Sequence, residues 1–261
     1  MEHQTILYAN NLSIGYFVKK QPVIITDNID IELKAGSLTA LIGANGIGKS
    51  TLLRTLTGIQ KLLAGQVILN EKPLLNYTPA QLAQQLSLVL TDSLPPSNLT
   101  VFELVALGRQ PYTNWLGSLS PEDIVMVNEA LTITQATDLA TKKHHELSDG
   151  QLQKILIARA LAQDTPLIVM DEPTTHLDLP HKVKVLTLLK KLAHEGGKCI
   201  LYSTHDLDLA LQLSDELIVM KKGGLTQGHP KKLIENNVFD HLFDDSDITF
   251  DYSQNRFVIK N

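Results

Sequence analysis

Three observations predict an α/β domain built on a parallel sheet with an inserted helical region. Strand-like and helix-like patterns alternate along most of the chain. The run PLIVMDE at 166–172 is apolar until its last two residues, the composition of a strand buried on both faces. From about 98 to 162 the pattern turns helical. With 261 residues, 43% hydrophobic and 20% charged, the chain is long enough for a sizeable core.

The elements follow in order. Residues 5–42 are rich in strand-like runs and end in LTALI at 38–42. A glycine-rich turn leads into a helix-like segment from Lys49 that stops at Gly58, and GQVILN at 65–70 reads as a further strand. Thr78-Pro79-Ala80-Gln81 has the form of a capping box, with proline at the first helical position. Ser120-Pro121-Glu122-Asp123 starts another helix and puts acids where the helix dipole favours them. In LSDGQLQK, 147–154, Ser148 and Gln151 form a capping box, and Leu152, Ile155, Leu156, Ala158 and Leu161 continue at helical spacing. Pro180 opens an amphipathic helix with Val183, Leu186, Leu189 and Ala193 inward, ending at Gly196-Gly197. Strands at 198–203 and 216–220 follow, and ITFDYSQNRFVI at 248–259 reads as a hairpin.

Composition excludes some functions. The net charge of −5, with both signs interspersed, argues against a protein that grips nucleic acid through a basic surface. The single cysteine, Cys199, has no intrachain partner and fits a small core position on a strand, in keeping with a reducing compartment. The N-terminus lacks the basic start and apolar run of a signal peptide, and no window reaches the roughly 18 apolar residues of a membrane span. Any membrane connection is therefore expected to run through a partner.

The strongest chemical signal is GANGIGKST at 43–51, which matches G-x-x-x-x-G-K-[ST] between a strand and a helix. Gly43, Gly46 and Gly48 let the backbone curl so that successive amides face phosphate oxygens. Lys49 reaches the β- and γ-phosphates, Ser50 offers a hydroxyl to Mg²⁺, and Asn45 and Thr51 complete the nucleotide-binding set. The plainer alternative is an ordinary glycine-rich turn. Asp171 and Glu172 end the apolar strand: the first suits Mg²⁺, and the second can deprotonate an attacking water. Two adjacent acids can also be a solvated strand end. No guanine-reading N-K-x-D occurs, which favours ATP over GTP.

GANGIGKST, LSDGQ, LIVMDEP, TTHLD and STHD, in that order, resemble the motifs of the ATP-binding cassette (ABC) ATPases, and the resemblance covers essentially the whole chain. It implies a P-loop NTPase core with a parallel sheet, an N-terminal antiparallel β-subdomain and an inserted helical subdomain. The expected division is a β-subdomain and P-loop core at 1–90 and 165–235, a helical subdomain at 91–164, and a tail at 236–261. By the same resemblance His205 is the switch histidine at the γ-phosphate, and Asp178 lies at a dimer interface. Tyr16 stacks on adenine, and Ser148, Gly150 and Gln151 serve the ATP of a second copy. Simpler readings exist for each: a backbone-bonded histidine, a helix cap, a packed strand tyrosine and a helix start.

Two positions depart from the family pattern. Asp149 replaces a glycine of LSGGQ, and Thr91, followed by Asp92, stands where a glutamine usually contacts Mg²⁺ and the membrane subunit. Asp245, Asp247 and Asp251 do not complete a calcium loop, because Phe250 and Arg256 occupy positions needing Gly and Glu. His144, His145, His176 and His181 read as surface residues.

The resemblance therefore implies ATP and Mg²⁺ as cofactors and a homodimer of nucleotide-binding subunits. It also implies a separate membrane permease with a substrate-binding protein, and a place at the cytoplasmic membrane face. TVFELVALGRQPYTNW followed by LSPED resembles the ATPases of importers for siderophores, haem and vitamin B12. The alternatives are an ATP-binding scaffold with little turnover and an ABC ATPase acting on nucleic acid, and the acidic balance opposes the latter.

Overall fold

The computed structural model describes residues 4–90, 97–115, 117–240, 242 and 248–259. Thr91 and Asp92 lie outside the described residues, as do Asp245 and Asp247.

The chain opens with two long strands, β1 (Thr5–Val18) and β2 (Gln21–Lys34), joined by a tight hairpin. With β4 (Ala64–Leu69) and β5 (Lys72–Pro73) they form an antiparallel sheet in the order β2-β1-β4-β5. The second sheet starts with β3 (Leu38–Gly43), every residue of which is buried, and β3 runs directly into the glycine-rich loop and α1 (Lys49–Leu56). Next come α2 (Pro79–Ala83), whose Thr78 cap is a full capping box, and β6 (Leu86–Val89).

A helical run then interrupts the sheet: α3 (Val101–Ala106), α4 (Pro121–Ile133) and α5 (Asp149–Ala162). Ser148 caps α5 with the capping box its sequence predicts, and Ser120, expected only as a helix start, also forms one, with Asp123 in place of the usual Glu or Gln. The chain returns to the sheet as β7 (Leu167–Met170), α6 (Leu179–His194), β8 (Cys199–Ser203), α7 (Leu207–Leu213) and β9 (Glu216–Lys221). After β10 (Gly224–Gly228) and α8 (Pro230–Glu235), a hairpin of β11 (Ile248–Asp251) and β12 (Arg256–Ile259) closes the described chain.

The six-stranded sheet has the order β10-β9-β3-β8-β7-β6. All neighbours are parallel except β10, which pairs antiparallel with β9. This is a doubly wound arrangement, in which ligands are expected beyond the carboxyl ends of the strands. The carboxyl ends of β3, β8 and β7 lie side by side. They carry, in turn, the glycine-rich loop, Ser203-Thr204-His205 and Asp171-Glu172.

Three expectations change. Val183 is exposed and Val185 is buried, so α6 presents Val185, Leu186, Leu189, Leu192 and Ala193 to the core. Val183 sits two residues, about 200° of helix rotation, from Val185 and so faces outward. In α5 the burial is not one-sided: Ile155, Leu156, Ile157 and Ala158 are successive buried residues, because the helix is enclosed by its neighbours. His144 is buried, with its Nδ1 3.3 Å from Ser97 Oγ, whereas His145, His176 and His181 are exposed.

The helical run has its own polar anchor. Arg109 Nε donates to Asp123 Oδ1 at 2.8 Å, and Nη1 donates to the Ala162 carbonyl at 2.8 Å. This ties the segment after α3 to the start of α4 and the end of α5, and both charged side chains are buried. Among the described residues, no helix is long and apolar enough to cross a membrane.

Candidate nucleotide site

The loop after β3 folds as its glycines require. Gly46 and Gly48 hold φ of 73° and 113°, where an L side chain is strained. A Cβ on Gly48 would also stand 2.6 Å from Ile25 Cγ2. Lys49 opens α1 and is buried, its Nζ donating to the carbonyls of Gly43 at 2.9 Å and Ala44 at 3.2 Å. Burial pushes the Lys49 ammonium below its ordinary pKa, while the Glu172 and Asp171 carboxylates act the other way. The ammonium is thus held inside the loop it serves, facing two acids. Ser50 and Thr51 in the first turn of α1 are half-buried, and Asn45 and Gly46 are exposed at the loop crest.

The two acids differ in setting. Asp171 is buried, its backbone N–H donates to the Val89 carbonyl, and its Oδ1 accepts from Ser203 Oγ at 2.5 Å. Its Oδ2 accepts no hydrogen bond among the described residues. Glu172 takes φ of +49°, a left-handed conformation that costs a non-glycine residue about 1–2 kcal/mol. Its N–H donates to Ser203 Oγ at 2.9 Å. Its Oε1 lies 2.6 Å from His205 Nε2, and Thr175 Oγ1 donates to Oε2 at 3.0 Å. Strain held in place by surrounding bonds is characteristic of functional sites.

The structure thus gathers Lys49, Asp171, Glu172 and His205 at one end of one sheet. An oxygen-only pair, the Ser50 hydroxyl and the free Asp171 oxygen, has the hard-donor chemistry that suits Mg²⁺ beside phosphates. The buried Lys49 cation at the end of a glycine-rich loop suits a triphosphate.

The other predicted residues lie apart from this cluster. Ser148 accepts from the Gln151 N–H at 3.4 Å, and Gln151 Oε1 accepts from the Ser148 N–H at 3.1 Å. Among the described residues, no hydrogen bond or ion pair joins this helix start to the loop at 43–51. Ser148 and Asp149 are exposed, and Gly150 packs near Leu177 and His181. Asp178 is the N-cap of α6: its Oδ1 accepts from the His181 N–H at 3.0 Å, and the His181 ring lies 2.5 Å away. Those bonds, the ring first, hold the Asp178 carboxyl below the ordinary range. Tyr16 is 51% exposed on the outer half of β1, with Phe17 and Ile24 also exposed nearby. Ser203 and Thr175 escape sequence reasoning. Ser203 stands two residues before His205 in STHD, and only the pairing of β8 with β7 gives it a role.

The match to the ABC transporter family spans residues 26–175, from β2 through the loop, the signature and the acids. The chain belongs to the ABC transporter family. This ABC cassette is an ATPase subunit by kinship. It is 40% identical over 240 residues to the achromobactin transport ATP-binding protein CbrD of Dickeya dadantii, covering 92% of this chain and 88% of that one. It is 36% identical over 252 residues to the iron(3+)-hydroxamate import ATP-binding protein FhuC of Bacillus subtilis, covering 96% and 92%. Among solved structures it resembles a dimeric ATP-binding cassette in a post-hydrolysis state bound to ADP and phosphate. That likeness has a TM-score of 0.74 and 28% identity, over 86% of this chain and 99% of the other.

Proposed function

We propose that this ABC ATPase powers uptake of an iron chelate, such as a siderophore, through a separate membrane permease, with haem and cobalamin as alternative cargoes of the same importer class. The observation that carries the reading is the meeting of Lys49, Asp171, Glu172 and His205 at the carboxyl end of one sheet. The names of the relatives support the cargo class.

In this reading the amides of 43–48 and the Lys49 ammonium bind the ATP phosphates, with Asn45 and Thr51 in the same cradle and Tyr16 against the adenine. Ser50 and Asp171 would hold Mg²⁺, which would supply charge neutralisation at the phosphates. Thr91, outside the described residues, is assigned to the same ion. Glu172 accepts the proton of the attacking water, a contribution of about 10²–10⁴ in rate. His205 orients Glu172 and the γ-phosphate.

Two copies form the working unit, in keeping with the dimeric relative. The start of α5 is exposed, and its capping-box bonds at 3.1 and 3.4 Å would have to be traded for a phosphate, which a helix N-terminus favours. Ser148, Gly150 and Gln151 of one copy would then close on the ATP of the other, with Asp178 at the seam. The helical region at 91–164 would dock the permease and the cores at 1–90 and 165–235 would bind nucleotide, with a tail at 236–261. A substrate-binding protein would deliver cargo on the far side, placing this subunit at the cytoplasmic membrane face.

Reconstitution tests the reading. Reconstituted in proteoliposomes with its permease and a substrate-binding protein, the protein is expected to drive ATP-dependent accumulation of a ferric siderophore. ATP hydrolysis that no iron chelate, haem or cobalamin stimulates, with no accumulation, would remove the cargo assignment.

A further inference from the structure

We infer that Ser203 is a positioning residue for hydrolysis, linking the metal-binding acid to the water-activating one; this rests on the roles proposed for Asp171 and Glu172. Ser203 ends β8 and is fully buried. Its strand lies between β3, which feeds the phosphate loop, and β7, which ends at the acids. The register pairs Tyr202 with Met170 across β8 and β7, so the next residue on each strand, Ser203 and Asp171, are neighbours.

A serine hydroxyl has one proton to give and lone pairs to receive. Here both capacities are used, and both go to the acid pair. The proton goes to Asp171 Oδ1 at 2.5 Å, and the oxygen accepts the Glu172 N–H at 2.9 Å. The first bond fixes the rotation of the Asp171 carboxylate and leaves Oδ2 as its open oxygen. The second holds the backbone of Glu172 at φ of +49°, a conformation this residue would otherwise leave. Two residues later on the same turn, His205 takes the Glu172 side chain at 2.6 Å. One buried hydroxyl therefore sets the carboxylate at the metal and the backbone from which the base projects. Alanine at this position would leave the Glu172 N–H and Asp171 Oδ1 without that partner.

The experiment compares Ser203→Ala, Ser203→Thr and Ser203→Cys with the wild type in the permease complex, varying ATP and Mg²⁺ separately. Ser203→Ala is expected to lower kcat about tenfold, with KM for ATP within about twofold, the pattern of a lost transition-state alignment. The Mg²⁺ concentration for half-maximal rate is expected to rise several-fold, and Ser203→Thr, which keeps the hydroxyl, to recover most of the loss. A second readout needs no turnover: in a Glu172→Gln background, calorimetry should find that Ser203→Ala raises several-fold the Mg²⁺ concentration at which ATP reaches its full affinity. If Ser203→Ala does not fold, Ser203→Cys, nearly isosteric with a weak donor, is measured with the same expectations. Wild-type kcat and Mg²⁺ response in the alanine or cysteine variant would overturn the inference. Asp171→Asn and Glu172→Gln separate it from the reading beneath: if they too hydrolyse normally, the roles of the acids fail; if they are silent, only the role of Ser203 fails.

Discussion

Glu172 Oε1 lies 2.6 Å from His205 Nε2, and this contact joins the ends of two adjacent strands. With Thr175 on Oε2, both oxygens of the carboxylate are held by this chain's own side chains. The left-handed backbone and the two side-chain bonds hold Glu172 in place, the fixed geometry that the proposed proton transfer requires.

His205→Ala removes one of those holds. Hydrolysis is expected to fall about ten- to hundredfold while ATP affinity stays within about twofold, because the loop proposed to bind phosphate is untouched. Steady-state kinetics beside equilibrium nucleotide binding measures both. A loss confined to affinity would place His205 in the binding set and not in orientation of the base.

Lys49→Ala deletes the buried cation that Gly43 and Ala44 cradle. Charged hydrogen bonds are worth about 1.5–3 kcal/mol, so ATP affinity is expected to drop at least about tenfold. Titration with a fluorescent ATP analogue is the direct measurement, and thermal unfolding without nucleotide checks that the fold persists.

Gly48→Ala meets two penalties: φ of 113° and a new Cβ 2.6 Å from Ile25 Cγ2. Overpacking and strain together are expected to cost about 1–3 kcal/mol in stability and to abolish measurable nucleotide binding. Gly46→Ala has the same backbone problem, but its Cβ would meet nothing within 4 Å, so it should be the milder change. Urea unfolding of the two variants ranks them.

The contrast between these glycines and Ser203 says what the sequence discloses. The loop, the acids and His205 are readable because each is a local string at a strand end, and short-range chemistry defines it. Ser203 acts on a residue 32 positions earlier, through strand pairing that no local string records. The β1–β2 turn is hidden for a related reason: Lys19 and Lys20 adopt φ of 49° and 69°, which glycine or asparagine would have advertised. The outward face of Val183 is hidden because a valine one residue off the core stripe looks like a core residue until α6 has a rotation. The capping boxes at Thr78 and Ser148 are local and legible, whereas at Ser120 only the helix start is, because Asp123 stands where the pattern has Glu or Gln. The role proposed for Ser148 beyond capping requires a second chain, so no intrachain contact reports it.

Asp123→Asn tests the anchor of the helical run. The Ser120 N–H foremost, then Arg109, hold the Asp123 carboxyl below the ordinary range. A depressed folded-state pKa contributes stability above the unfolded value, about pH 4, and loses it as pH falls through the folded value. The variant leaves Arg109 buried without its counter-charge and is expected to lose about 3 kcal/mol at neutral pH. The gap between wild type and variant in urea unfolding should narrow below about pH 4. A gap that stays constant down to pH 3 would mean that the ion pair is not its source.

The most direct test of the central claim, that Glu172 is the base of an ATP-hydrolysing site, is steady-state ATP hydrolysis by the permease-bound protein with and without Glu172→Gln. The account predicts an active wild type, a variant slowed by about 10²–10⁴, and ATP binding retained in both. An assembled complex whose variant hydrolyses ATP at the wild-type rate would contradict it.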